Sequence, residues 1–326
     1  MRGSPASDLE SLYVHLTRSG HVQRLLQLAY EEDMGARGDI TSQVCIPDAT
    51  VGEGVIVARQ AGVVSGVRLM PAVLEMFAPG VYLDVRAPDG RRVRAGDTVA
   101  VVRGPLREVL AAERTLLNFL GRLSGIATLT ARFVEAVAGT GAKILDTRKT
   151  TPGLRALEKY AVACGGGESH RFGLFDAVLI KDNHLAGVTL QTLARLVTGA
   201  AARARAAAAD PAPRGRQPGP GEGALRFVEV EVDSLEQLKV ILDAGGCGVD
   251  AVLLDNMAVA TLREAVRMRE TSGVSVLLEA SGGVNLETVG NIATTGVDFI
   301  SAGQLTHSAV SLDVALDVKT VVEAEE

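Results

Sequence analysis

The chain reads as an α/β protein in which a small N-terminal α+β domain precedes an irregular, incomplete α/β barrel. Three observations predict this. From Lys143 onward, short apolar runs alternate with helical stretches, the pattern of parallel strands joined by crossover helices. Each of those runs stops at residues capable of chemistry, as strands do where they open onto the C-terminal mouth of a barrel. Residues 51–105 differ: their runs alternate and are broken by Gly and Pro, the mark of short antiparallel strands and turns.

Taken in order, residues 1–20 read as a weakly ordered lead-in with one helical turn. From His21, Val22, Leu25, Leu26, Leu28 and Ala29 recur at helical spacing. That helix runs into MGARGDITS, where Asp39, Thr41 and Ser42 are capping and turn residues. The 51–105 segment has some likeness to a small swivelling barrel of the biotinyl or lipoyl type, but no lysine sits in its hairpins, so a carrier role is not expected. It is expected to shape or cover a site. Residues 106–138 form the longest helical stretch, with Gly121 and Ser124-Gly125 expected to split it in two. Arg114 and Asn118 lie one turn apart on it and share a face. Strands are then centred near Ile144, Val178, Val228, Val252, Leu277 and Phe299, with helices at 189–198, 234–242, 259–270 and 286–293. Six strands predict an incomplete barrel rather than a regular eight-fold one. Residues 199–224 are low in complexity and rich in Pro and Gly, and read as an exposed insertion without catalytic residues. The tail from Ser311 is expected to pack back on the first domain. The predicted domains are 1–116 with 309–326, and 117–308.

Over 326 residues, hydrophobic side chains make up 47% but aromatics only 3%, so Ala, Val and Leu must fill the core. A formal charge of −6 argues against general nucleic-acid binding. Cys45, Cys164 and Cys247 are scattered and form no CxxC, which suggests neither a disulfide framework nor a zinc site and points to a reducing cytoplasm. The N-terminus shows no apolar core for a signal peptide, and no apolar run approaches the ~20 residues of a membrane span.

The chemistry concentrates in residues 144–185, where Arg148, Lys149, His170, Arg171, Lys181 and His184 cluster around two strand ends and a triple glycine, Gly165 to Gly167. Singly each suits a solvated strand end. Together they predict a pocket for a compact, multiply negative small molecule. In RFVEVEVD, Glu229 and Glu231 share a face. Glu231 and Asp255, on neighbouring strands, suit ribose hydroxyls or the waters around Mg²⁺, or else neutralise the lysines opposite. EASGGVN and SAGQLTHS are Gly- and hydroxyl-rich turns after consecutive strands, a phosphate corner. A cationic cluster, a carboxylate pair and a phosphate corner imply glycosyl transfer between an organic polyanion and a phosphorylated sugar. A Schiff-base lyase using Lys149 or Lys181, and a non-catalytic phosphosugar-binding protein, are the alternatives.

EDMGARGDITS, ERTLLNFLGRLSGIATLT, ILDTRKTTPGLRALEKYAVACGGGESHR, VLIKDNH, VEVEVDSLEQL, VLLDN, EASGGVN and SAGQLTHS occur in this order. In these the chain resembles the quinolinate phosphoribosyltransferases, or carboxylating nicotinate-nucleotide pyrophosphorylases. The resemblance runs from about His21 to Val318. It implies a fold like that of type II phosphoribosyltransferases and conversion of quinolinate and phosphoribosyl pyrophosphate to nicotinate mononucleotide, diphosphate and CO₂, a de novo step toward NAD. Arg148, His170 and Arg171 match quinolinate-carboxylate ligands, and Thr147 lies beside them. Lys149 and Lys181 match lysines near both substrates, and Glu231 and Asp255 the pair at the ribose and Mg²⁺. Ser281, Gly282 and Gly283, with Ala302, Gly303 and Gln304, match the 5′-phosphate loops. Lys149, Glu231 and Asp255 are the implied catalytic residues. Mg²⁺ is implied mainly through the substrate diphosphate, with no direct protein ligand. Arg114 matches an arginine that reaches a neighbouring subunit's site, implying at least a homodimer with shared sites. Neither nucleic acid nor membrane is an expected partner, and the expected location is cytoplasmic.

Overall fold

The computed structural model describes residues 9–209 and 225–323. The stretch 210–224 of the expected insertion lies outside the described residues. In chain order the elements are α1 (Leu9–Thr17), α2 (His21–Met34), α3 (Ile40–Cys45), β1 (Thr50–Ala58), β2 (Gly62–Val63), α4 (Met70–Phe77), β3 (Tyr82–Val85), β4 (Arg92–Val93), β5 (Thr98–Pro105) and α5 (Leu106–Ala136). There follow β6 (Lys143–Leu145), α6 (Arg155–Cys164), β7 (Val178–Ile180), α7 (Leu190–Ala209), β8 (Val228–Val232) and α8 (Leu235–Asp243). The last are β9 (Ala251–Asp255), α9 (Val259–Ser272), β10 (Leu277–Ser281), α10 (Val289–Ala293), β11 (Phe299–Ser301), α11 (Gln304–His307) and β12 (Val314–Glu323). No helix among the described residues is long and apolar enough to cross a membrane.

The chain divides into two compact units. One holds residues 9–131, 151–166 and 309–323, and the other holds 132–150 and 167–308. The division falls inside α5, after 131 rather than after the expected 116, and α6 joins the first unit.

In the first unit an antiparallel sheet runs β12-β1-β5-β3, with β2 and β4 as a separate pair. The chain's tail thus returns as an edge strand on β1, with Val57 opposite Ala315. Small β-branched residues fill the space: Val55, Val57 and Val101 form a buried cluster with Ala315 against it. Asp39 caps α3 by accepting the Ser42 N–H at 3.0 Å, as its place in the sequence predicts. Two expectations fail. The lead-in holds a nine-residue helix, α1, not a single turn; Tyr13 packs edge-on against Tyr160 of α6 with ring centroids 5.3 Å apart, a contact invisible to local pattern. And α5 is one 31-residue helix, unbroken at its glycines. Gly121 and Gly125 serve close approach instead. A Cβ at 125 would overlap the Val310 carbonyl oxygen, one at 121 would lie 3.0 Å from that of Leu312, and the Leu312 N–H donates to Gly121 O at 2.9 Å.

The second unit is a six-stranded parallel sheet in the order β6-β11-β10-β9-β8-β7. Each strand from β7 to β11 lies beside its sequence neighbour, and β6 adds on beyond β11. Among the described residues no ladder joins β6 to β7, so the barrel is incomplete. All five residues of β8 and the first four of β9 are buried, as parallel strands covered on both faces should be. The helix expected to stop at 198 continues to Ala209 as α7, because residues 200–209 are alanine and arginine, strong helix formers.

Candidate active site

The strand ends of the second unit line one cavity of about 780 Å³, toward the upper end of the ~300–1,000 Å³ usual for one drug-sized ligand. Each wall is built by a local device. At the end of β6, buried Asp146 accepts the His170 N–H at 2.9 Å and the Ser169 hydroxyl at 3.1 Å. A single parallel bridge pairs Leu145 with Glu168 alongside. This holds the segment carrying His170 and Arg171 beside the one carrying Thr147, Arg148 and Lys149. The Thr306 hydroxyl donates to Lys149 O at 2.7 Å, and the Lys149 stem lies where a Cβ on Gly303 would stand, 2.8 Å from its Cδ. Glycine at 303 is therefore what admits the lysine.

At the end of β7, Lys181 pairs with Glu231 of β8. That pairing engages the lysine Nζ with a carboxylate, whereas a Schiff-base lysine must present a free amine to a carbonyl. His184 does not join the cluster: its Nδ1 accepts the Lys181 N–H at 2.8 Å and caps the turn over Asp182–His184. At the end of β9, Asp255 receives a 2.8 Å hydrogen bond from Asn256 Nδ2. At β10 and β11, the Ser301 hydroxyl donates to Ser281 at 3.0 Å, and Gly282 and Gly283 both take positive φ, at 91° and 60°. The helix behind this glycine loop, α10, begins only at Val289, and α11 has four residues. Backbone N–H groups of the loop, more than helix dipoles, are what an anion would meet.

Of the expected site residues, Thr147, Arg148, Lys149, His170, Arg171, Lys181, Glu231, Asp255, Ser281, Gly282, Gly283, Gly303 and Gln304 line the cavity. Ala302 does not: it is 1% exposed and its N–H donates to Leu145 O at 3.1 Å. Arg114 lies on α5 in the other unit, its exposed side chain 3.6 Å from Glu113.

Arg171 is 7% exposed. Burial, and then the neighbouring Arg148 guanidinium, hold its pKa below the usual arginine value. Buried Arg148 Nε finds no hydrogen-bond partner among the described residues, and neither does Gln304 Oε1. Unspent buried polar groups in a cavity wall suit a polar ligand.

One group was not foreseen as a unit. His170 Nε2 stands 2.9 Å from Glu229 Oε2 and 3.4 Å from Glu279 Oε2, with both glutamates fully buried. The signal was present, an acid inside each apolar run VEVEV and LLEA, but not the pairing. These atoms are close enough to hold a metal ion. However, His170 Nδ1 accepts the Arg171 N–H at 2.7 Å, so Nε2 carries the ring proton and donates to Glu229. A metal-bound imidazole has the opposite arrangement, its second nitrogen donating. The triad is a proton site. Burial, then Glu279, pushes the Glu229 carboxyl up to about 7, against the pull of His170. Burial lowers the His170 pKa, but the two carboxylates outweigh it and raise it to about 10. The Arg171 N–H at Nδ1 opposes a second ring proton, so the upward direction belongs to the triad as a whole.

Comparison with known proteins decides the family. Residues 39–124 match the model of the quinolinate phosphoribosyl transferase N-terminal domain, and 126–317 that of the C-terminal domain. The chain belongs to the quinolinate phosphoribosyltransferase family. It is 44% identical over 296 residues to the carboxylating nicotinate-nucleotide pyrophosphorylase of Mycobacterium leprae, covering 90% of this chain and 95% of that one. With the probable enzyme of that name from Bacillus subtilis it shares 37% over 307 residues, 94% of this chain and 96% of that. The structure of the nicotinate-nucleotide pyrophosphorylase from Francisella tularensis superposes with a TM-score of 0.78 at 34% identity, over 92% of this chain and 96% of that one. In this family member both ring nitrogens of His170 are engaged within the protein.

Proposed function

We propose that this protein transfers the phosphoribosyl group of phosphoribosyl pyrophosphate to quinolinate with loss of CO₂, giving nicotinate mononucleotide and diphosphate in de novo NAD synthesis. The observation that carries this is the convergence of Arg148, Lys149, Arg171 and Lys181 with Asp255 and the Gly282-Gly283 loop on one cavity.

In this reading Arg148 and Arg171 hold the two carboxylates of quinolinate, Asp255 accepts ribose hydroxyls, and the glycine loop binds the 5′-phosphate through backbone N–H groups. The ring nitrogen attacks the anomeric carbon as its bond to diphosphate breaks. The resulting pyridinium accepts the electron pair of the adjacent carbon–carboxylate bond as CO₂ leaves, and that carbon then takes a proton. Catalysis rests on holding the ring nitrogen in line and balancing charge. Glu231, paired with Lys181, positions that lysine. Its pairing leaves Asp255 as the freer carboxylate, so the donor set fits Mg²⁺ carried by the diphosphate and its waters rather than bound by a protein cage. Mg²⁺ when bound neutralises the leaving diphosphate. Arg114 is proposed to serve a partner subunit's site in a homodimer. The free thiols at Cys45, Cys164 and Cys247 support a cytoplasmic setting.

The test is a paired assay with phosphoribosyl pyrophosphate and Mg²⁺, one tube with carboxyl-labelled quinolinate and one with nicotinate. Diphosphate and CO₂ released in step from quinolinate alone is the expected result, abolished by a chelator and restored by Mg²⁺. Diphosphate from nicotinate alone, or from neither, overturns the reading.

A further inference from the structure

Among the described residues only Cys247 and Asn256 carry a side chain at positive φ. Cys247 sits in a glycine-rich turn outside the cavity lining, whereas Asn256, at φ 53°, forms part of the cavity wall. Left-handed backbone is costly for most side chains, and asparagine is among the few that adopt it readily, so the residue type suits the position. Three contacts define what it does here. Its Nδ2 donates to Asp255 Oδ2 at 2.8 Å, which engages that oxygen and leaves Oδ1 to accept from a ligand. Its backbone N–H donates to Ser281 O at 2.9 Å, tying the end of β9 to the end of β10. And its side chain occupies the space over Gly282: a Cβ there would overlap Asn256 Oδ1 and lie 2.5 Å from Cγ and 2.8 Å from N.

We propose that Asn256 is a positioning residue that sets the Asp255 carboxylate relative to the Gly282-Gly283 loop, and so matches the site to a sugar phosphate whose hydroxyls and phosphate lie a fixed distance apart. This rests on the reading of the cavity as a phosphoribosyl site. Asp255 is the group that touches ribose, and Asn256 acts through it. Glycine at 282 follows from the same packing, because any side chain there displaces the amide.

The test compares the parent with Asn256→Gly and Asn256→Asp. Glycine keeps the left-handed backbone without strain, so the first variant removes the amide alone. Melting temperature, the KM for each substrate, and calorimetric binding of Mg²⁺–phosphoribosyl pyrophosphate are measured. Asn256→Gly is expected to melt with the parent, to raise the KM for phosphoribosyl pyrophosphate about tenfold, and to leave that for quinolinate unchanged. Asn256→Asp sets a second carboxylate against Asp255 and is expected to lose roughly a hundredfold. Parent-like binding of phosphoribosyl pyrophosphate by Asn256→Gly overturns the proposal, as does an equal loss for both substrates. A parent that releases no diphosphate from quinolinate overturns the phosphoribosyl reading itself, a distinct outcome.

Discussion

His170 donates to buried Glu229, with buried Glu279 3.4 Å from the same ring nitrogen, and this cluster couples the site to pH. Glu229 binds its proton more tightly in the folded chain than when unfolded, from 4.5 up to about 7, and the triad as a whole shifts in the same direction. For groups whose folded pKa is raised, the stabilisation is complete below the unfolded value and is lost as pH rises through the folded one. Unfolding free energy is therefore expected to fall as pH rises from 4.5 through about 7, the unfolded and folded values of Glu229. Glu229→Gln should flatten that slope, and urea titrations across the range would check it; an unchanged slope would show that the protons reside elsewhere. Arg171→Ala, which removes a nearly buried guanidinium, is expected to weaken quinolinate binding by roughly a hundredfold. Unaltered quinolinate affinity by calorimetry would remove Arg171 from the site. Most of these residues were legible, because cations and acids that terminate apolar runs advertise a strand end. The triad's pairing was not, since His170 and Glu229 lie on different elements.

At the scale of an element, the α5 glycines show how a residue type can mislead. Glycine in a helix normally lowers stability, so Gly121 and Gly125 suggested a break. The helix continues because the chain at Val310 to Leu312 presses its backbone against that face. Gly125→Ala is expected to destabilise the protein by ~2 kcal/mol, as overpacking against an immovable carbonyl outweighs the gain in helix propensity. Gly199→Ala in α7 is the matched control. A Cβ there meets only the mobile end of Arg203, at 3.2 Å. It should stabilise by ~0.5 kcal/mol. Equal effects of the two in chemical denaturation would refute the close-approach explanation.

At the scale of the whole molecule, the proposed homodimer makes the activity a collective property. Arg114 belongs to the unit that does not build the cavity. If it completes a partner's site, Arg114→Ala and Arg171→Ala proteins, each inactive, should recover activity on mixing, since a mixed dimer retains one intact site. Recovery near a quarter of the parent rate would follow from random exchange, roughly half the dimers being mixed with one site each. No recovery after exchange is verified by mass would count against the shared site.

The alternation of strand and helix, the six-strand count and the chemistry at each strand end were all readable from residues close together in the chain. These are local properties: apolar period and the residue that interrupts it. What emerged only on folding is which group faces which. Lys181 meets Glu231, His170 meets Glu229 and Glu279, and Asn256 meets Gly282. Such partners come from segments well apart in the chain, so their meeting depends on strand order and register, which no local pattern encodes. The same holds for the glycines of α5, whose meaning is supplied by a segment nearly two hundred residues away, Arg122 reaching Ala309 O across a separation of 187.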